Sequence, residues 1–380
     1  MTQKPNARAG IVALLGLAAF VFLFGALSIW QPRLFRDFLA GRNDFAGLYT
    51  AGRLAGSPDL YSFEANERIQ MEAVGALPEP RMIYDRPPFY SVLLMPLATL
   101  PYRAAYAVFE VLNIFCLCAA VWLFARRSVE IAVLASVSVP ILLGIMQGQD
   151  TGFFTLGYAA FYTLLERGRG FLAGLSLSIC LIKLHLFPLT AIALLLRREW
   201  GALKGAASAV TVLIAASFAA FGGSWPSMYW AALRGPNIDL NPKIMPNLHG
   251  LATLMGWGRM TEAVLMATVL AAFVVAAVRA ERPLLYALAL VGGLLLSFHA
   301  YPQDATLLLL ALGILDTTAP VVWFQQLLRV SLTPLPYAFL SLRNRWSTIL
   351  VLLLLGAFAS GAWQAARRKN RWANAALMLK

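Results

Sequence analysis

The stretch GRNDFAGLYTAGRLAGSPDLY, residues 41–61, puts the carboxylate of Asp44 beside Phe45 and Tyr49, eleven residues past an apolar run that ends at Trp30. A carboxylate at the rim of a membrane cavity can take the proton from an incoming hydroxyl. Asn43 or Asp44 could equally cap a short interfacial helix. YDRPPF, residues 84–89, closes the same polar excursion, and Pro87-Pro88 forces an extended start to the next helix with Asp85 and Arg86 held at the interface. The Arg86 guanidinium can fork a phosphate; the plainer reading is a snorkelling arginine.

Three further stretches set polar groups between apolar runs. MQGQDTGFF, residues 146–154, offers Gln147 and Gln149 to a sugar or a phosphate, unless it is only a polar turn. LIKLHLFP, residues 181–188, carries Lys183 and His185 in the middle of the apolar stretch 170–197, whose two ends are both basic (Arg167 and Arg169, then Arg197 and Arg198). With both ends on one side, that stretch is a hairpin of two short helices with Lys183 at its tip. The ammonium then either snorkels to the far headgroups or meets an anion. SFHAYPQDATLLLL, residues 297–310, ends one run with His299 and Tyr301 and opens the next at Asp304, which reads as an N-cap. His249 is a weaker candidate and Asp59 belongs to turn chemistry. Trp225, Tyr229 and Trp230 could stack on a sugar or a prenyl chain, and the plainer reading is interfacial belt residues.

The elements that position these groups are membrane helices. Only 13% of the residues are charged, against about 25% in a soluble domain. Candidate spans fall near 10–30, 87–101, 104–125, 129–146, 152–165, 170–183, 186–197, 202–222, 260–279, 283–299, 304–322 and 346–366, with 323–343 ambiguous. Several are shorter than the ~20 residues of a straight crossing, as expected where helices line a cavity. Basic residues near both termini place both ends in the cytoplasm and require an even number of crossings, about twelve. The resulting expectation is an all-α polytopic membrane protein, residues 1–380 forming one integral membrane domain. Residues 31–86 form a helical first extracytoplasmic loop, 223–259 a second large loop, and about 320–380 the C-terminal helices. Topology around 87–127 and 316–345 is left open.

The net charge of +13 sits in short clusters at the ends of apolar runs, such as Arg126-Arg127, Arg197-Arg198 with Lys204, and Arg367-Arg368-Lys369 with Arg371. That is a cytoplasmic-loop and headgroup pattern and excludes nucleic acid as the expected partner. Cys116, Cys118 and Cys180 lie inside apolar runs and read as packing residues. No Walker loop, HExxH, GxSxG or paired-cysteine motif occurs.

The ordered set NDFAGLYTAGRLAGSPDLY, PPFYSVLLMPLATLP, MQGQDTG, AGLSLSICLIKLHLFP with RREW, and SFHAYPQDATLLL resembles glycosyltransferase family 87. That family belongs to the GT-C superfamily and comprises membrane mannosyltransferases that use polyprenyl-phosphate sugars. The resemblance spans roughly residues 40–310. It implies a GT-C-like helical bundle in a bacterial plasma membrane with its active site on the extracytoplasmic side. It further implies a catalytic aspartate at Asp44, a lysine in the broken hairpin at Lys183 and a late histidine near the donor at His299. Asn43 stands where many relatives carry a second acid, which weakens the case for a divalent metal without closing it; no other cofactor is implied.

The expected reaction is an inverting transfer of a sugar, mannose in the family's commonest case, from a polyprenyl-phosphate donor to a glycan or glycolipid hydroxyl. Asp44 would be the general base. Lys183, Arg86 and His299 would hold the donor phosphate, and Gln147, Gln149, His185 and Tyr301 would bind substrate. A transporter or flippase for a lipid-linked or anionic solute is the competing class, and an acyltransferase built around His185 or His299 is a third.

Overall fold

A computed structural model describes residues 7–75, 83–125, 128–234, 241–315 and 321–367, and every regular element among them is a helix. Arg126-Arg127, Arg368-Lys369 and Arg371 lie outside the described residues, as do the ends of several expected loops.

The first helix, Ala7–Trp30, is apolar after Arg8 except for Ser28. Pro32 then starts a new helix, and the chain turns by 107° into residues 32–53, which run across the end of the first helix. The first excursion is helical, as its local signals suggest. It contains Pro32–Ala40, Phe45–Arg53, a 3-10 turn at Pro58–Tyr61 and Phe63–Val74. Ser62 caps the last of these, its hydroxyl accepting from the Ala65 amide.

Among the described residues, four helical stretches are long and apolar enough to cross a bilayer: Tyr102–Phe124, Trp200–Arg234, Arg259–Arg279 and Arg345–Arg367. The count reaches six if each of two bent pairs is one span. Other expected spans are short helices, among them Pro88–Ala98, Gly170–Leu186, Arg282–Leu296 and Pro302–Leu315. The expected count of about twelve therefore leans on helices too short for a straight crossing, which need other helices around them. Arg282–Leu296 and Leu307–Leu315 have that cover: Leu284 to Leu295 and Leu307 to Leu315 are buried on every face, the signature of a core helix.

The stretch 129–146 is two helices, Val129–Ser136 and Val139–Met146, bent by 51°. Ser138 accepts from the Ile141 amide at 3.4 Å, and Pro140 sits in the first turn after the break. The ambiguous stretch 323–343 is also helical, Val322–Leu332 followed by Pro334–Ser341. Arg329 ties it back to Glu130 with two bonds of 2.5 and 3.0 Å.

Small residues join the hairpin region to the following long helix. A Cβ on Gly174 would stand 2.0 Å from the Ala202 carbonyl oxygen, and one on Gly205 2.0 Å from that of Phe171. These main chains touch, as at small-residue seams in membranes. Residues 170–174 thus lie beside residues 201–205, so the two basic ends of 170–197 are at the same level. Between them Gly170–Leu177 passes into a 3-10 segment, Ser178–Leu186, and then Pro188–Leu196. Lys183 has non-helical angles there, φ −133° and ψ 56°, at the place the sequence assigns to the tip.

Candidate active site

Asp44 opens the helix Phe45–Arg53. Its carbonyl accepts from the Gly47 and Leu48 amides, and its own amide donates to the Gln147 carbonyl at 3.0 Å. The side chain does not cap the helix, and its carboxylate makes no hydrogen bond or ion pair among the described residues. It keeps partial access to solvent. Burial pushes the carboxyl up to about 7, with the charges of Lys183 and Arg86 pulling the other way.

Asn43 supplies the fixing that Asp44 lacks. It is buried, and its Nδ2 donates to the Tyr106 hydroxyl at 2.9 Å and to the Met146 carbonyl at 3.3 Å. Gly148 makes room for this strut. Its φ is +63°, and a Cβ there would lie 2.4 Å from Asn43 Oδ1. The residue that stands in place of a second acid is therefore a brace between the first excursion and the MQGQDTG loop.

Two cations face the same place, and each is already paired. Arg86 Nη1 donates to Asp150 Oδ2 and its Nη2 reaches Gln149 Oε1 at 3.5 Å. Lys183 Nζ donates to Asp304 Oδ1 at 2.6 Å and to the same Gln149 oxygen at 2.9 Å. Gln149 thus links two ion pairs whose acids are almost fully buried. The loop itself is clamped by Asn113: its Nδ2 donates to the Gln149 carbonyl at 2.8 Å, and its Oδ1 accepts from the Gly152 amide at 2.7 Å. Asp304 is not the N-cap it was expected to be: Tyr301 holds that position, and Asp304, at the third residue of the turn, accepts from the Tyr301 amide at 2.9 Å with its second oxygen.

A column of rings closes the far side. His185 and His299 stand with centroids 5.6 Å apart, and His299 meets Tyr301 at 5.0 Å. The Tyr301 hydroxyl accepts from the Asn241 amide at 3.1 Å. His299 feels the charges of Asp85, Asp304, Lys183 and Arg86, which places it with the ion pairs.

Asp44, Arg86, Gln149, Lys183, His185, His299 and Tyr301 therefore converge from segments far apart in sequence. Gln147 joins through its main chain, and its side chain has no hydrogen bond among the described residues. Gln149 and the Tyr301 hydroxyl are occupied by protein partners. His249 stands elsewhere, paired to Glu262 at 2.9 Å. Asp150, Asn113 and the pairing role of Asp304 escape a reading by sequence, although Asn113 is a polar residue inside an apolar run and such residues repay attention. Chemically, the arrangement sets a free carboxylate of raised pKa beside two fixed cations, so a proton can be taken up close to where negative charge is stabilised.

The family model for glycosyltransferase family 87 matches residues 84–302, more than half of the chain. The chain belongs to glycosyltransferase family 87. No curated protein and no solved structure matches it. The match contains Arg86, Gln147, Gln149, Asp150, Lys183, His185, His299 and Tyr301; Asp44 and Asp304 lie outside it. A family 87 member is a glycosyltransferase, and its long apolar helices make this one an integral membrane protein. Membership gives no support to the transporter reading.

Proposed function

We propose that this family 87 enzyme moves a sugar, mannose by resemblance, from a polyprenyl-phosphate donor to a glycan or glycolipid hydroxyl on the extracytoplasmic face of a bacterial plasma membrane. The observation that carries the reading is the unpartnered Asp44 carboxylate beside the Arg86 and Lys183 ion pairs. In a single displacement with inversion, Asp44 takes the acceptor proton as the acceptor oxygen attacks the anomeric carbon. The bond from that carbon to the phosphate oxygen breaks, and the electron pair stays on the lipid phosphate.

Arg86 and Lys183, with His299, stabilise that charge. Asp150 and Asp304 keep the two cations fixed and ionised before the donor arrives, so little reorganisation is left for the reaction itself. Gln147, Gln149, His185 and Tyr301 complete the substrate contacts. General-base help of this kind contributes about 10²–10⁴-fold, and fixed charge at the leaving phosphate is the larger contribution in most enzymes.

The test pairs purified wild type with Asp44→Asn, each incubated with radiolabelled polyprenyl-phosphate sugars and membrane acceptors. Label leaves the prenyl phosphate with wild type and not with the variant. Near-normal release by Asp44→Asn removes the base assignment, and no release by wild type from any donor removes the reaction.

A further inference from the structure

Asp85 is a second carboxylate at this site with no hydrogen bond or ion pair among the described residues. Its main chain is held on both sides. The Tyr84 amide donates to Asn66 Oδ1 at 3.3 Å, and the Tyr61 hydroxyl donates to the Arg86 carbonyl at 2.9 Å. The half-buried side chain caps no helix and pairs with no cation among the described residues.

Three tyrosines stand around it. Tyr61 stacks on Tyr84 with centroids 5.9 Å apart and planes 22° from parallel, and it meets Tyr229 at 5.7 Å. Tyr84 is buried behind Tyr61, while Tyr61 and Tyr229 keep accessible surface. Tyr229 comes from the second excursion, in the helix Trp225–Arg234, and its hydroxyl has no hydrogen bond among the described residues. The fold thus takes one aromatic out of an ordinary interfacial belt and sets it against the first excursion. The charge of Asp85 acts on Tyr61, Tyr84 and Tyr229 on one side and on Asp44, Arg86 and His299 on the other. Because Coulomb interactions fall with distance, the carboxylate is near both the tyrosines and the reacting groups.

We propose that Tyr61, Tyr229 and Asp85 form the subsite that receives the acceptor saccharide. The rings cover the C–H face of a pyranose, and the carboxylate accepts from its hydroxyls. Ionised carboxylates only accept hydrogen bonds, so the subsite suits a neutral polyol and repels the donor's phosphate, which goes to Arg86 and Lys183. A sugar anchored on Asp85 presents a neighbouring hydroxyl to Asp44. This assignment rests on the transfer reading for its role, and on the tyrosines and Asp85 for its ligand.

The experiment is saturation-transfer NMR on the full chain in detergent with methyl α-mannopyranoside, methyl α-glucopyranoside and methyl β-galactopyranoside, with no donor present. Ring protons of at least one glycoside receive saturation from wild type. The signal falls about tenfold in Asp85→Ala and in Tyr229→Ala, the effect of one lost hydrogen bond to a charged group or its equivalent in contact. Asp85→Asn, nearly isosteric, gives a loss of the same sign and guards against a folding artefact. No transfer from wild type to any of the three, or a signal that survives both Asp85 variants, overturns the subsite. Wild type that binds glycosides yet consumes no polyprenyl-phosphate sugar leaves the saccharide subsite in place and overturns the transferase reading instead. Turnover without a glycoside signal overturns the subsite alone.

Discussion

The Asp44 amide donates to the Gln147 carbonyl at 3.0 Å, so the residue with the free carboxylate is tied to the polar loop by its main chain and not by its side chain. A carboxylate used as a brace would be spent on that contact. Here Asn43 is the brace, and Asp44 is left to titrate.

Turnover follows that titration. Burial raises the Asp44 carboxyl to about 7, and a base acts only when ionised. The pH profile of kcat/KM therefore rises through about pH 7 and levels above it. A profile flat from about pH 6 to 8 would show that Asp44 is not the titrating base.

The same shift acts on stability with the opposite sense. An unfolded Asp44 ionises near its ordinary 3.8, whereas the folded one holds its proton to about 7. Between those values the folded chain binds more protons, so the Asp44 contribution to stability falls as pH rises through that window. Thermal melts of Asp44→Asn consequently match wild type near pH 4 and lie at or above it at pH 8.

Lys183 and Asp304 separate a structural from a functional role. Lys183→Met leaves a buried carboxylate unpaired and costs about 3–5 kcal/mol, read as a lowered melting point. The double variant Lys183→Met with Asp304→Leu recovers most of that loss, because a buried ion pair replaced by apolar groups is close to neutral. It remains unable to release sugar from the donor. Donor turnover by the stable double variant would remove Lys183 from the phosphate site.

Arg86→Lys keeps the charge and loses the fork. A lysine cannot hold Asp150 and Gln149 with the paired nitrogens that Arg86 uses. Activity falls about 10-fold or more while the melting point drops only modestly, since one charge-assisted bond of about 1.5–3 kcal/mol remains in part. Full activity in Arg86→Lys would mean that a point charge suffices.

Gly148→Ala disturbs the site without touching a charge. At φ +63° the new Cβ is strained and meets Asn43 Oδ1 at 2.4 Å. Gly168→Ala is the control, with φ +71° and nothing within 4 Å. Both lose about 1–2 kcal/mol to backbone strain, and Gly148→Ala loses more together with turnover, read from melting curves and donor release. Equal behaviour of the two would remove the Asn43 strut from the argument.

The sequence brings the reader to the right stretches and not to their partners. MQGQDTG, LIKLHLFP and SFHAYPQDATLLLL stand out because charged and amide groups interrupt apolar runs, and the fold brings all three together. That Asp150 pairs with Arg86 and Asp304 with Lys183 is illegible, since spacing along the chain says nothing of contacts 64 and 121 residues apart. The hairpin tip at Lys183 is legible because both flanks are basic. The break inside 129–146 has its cause in plain view: Ser138 and Pro140 start a helix better than they continue one. Tyr229 can be read in sequence as a belt aromatic or a stacking platform, and its neighbour Tyr61 is visible only in the fold.

The order in which the chain is made gives the Lys183 contact a further meaning. Residues 170–196 enter the bilayer before Asp304, 121 residues beyond Lys183, has been synthesised. Gln149 is already present, and its amide oxygen is the partner available to the ammonium in that interval. A lysine at the centre of an inserted segment costs about 2.5–3.5 kcal/mol, and a bent hairpin that returns to its own side carries it more easily than a straight span. The nascent protein therefore holds an uncompensated charge until its last third is threaded. A chain that stops before residue 304 keeps that ammonium without its carboxylate.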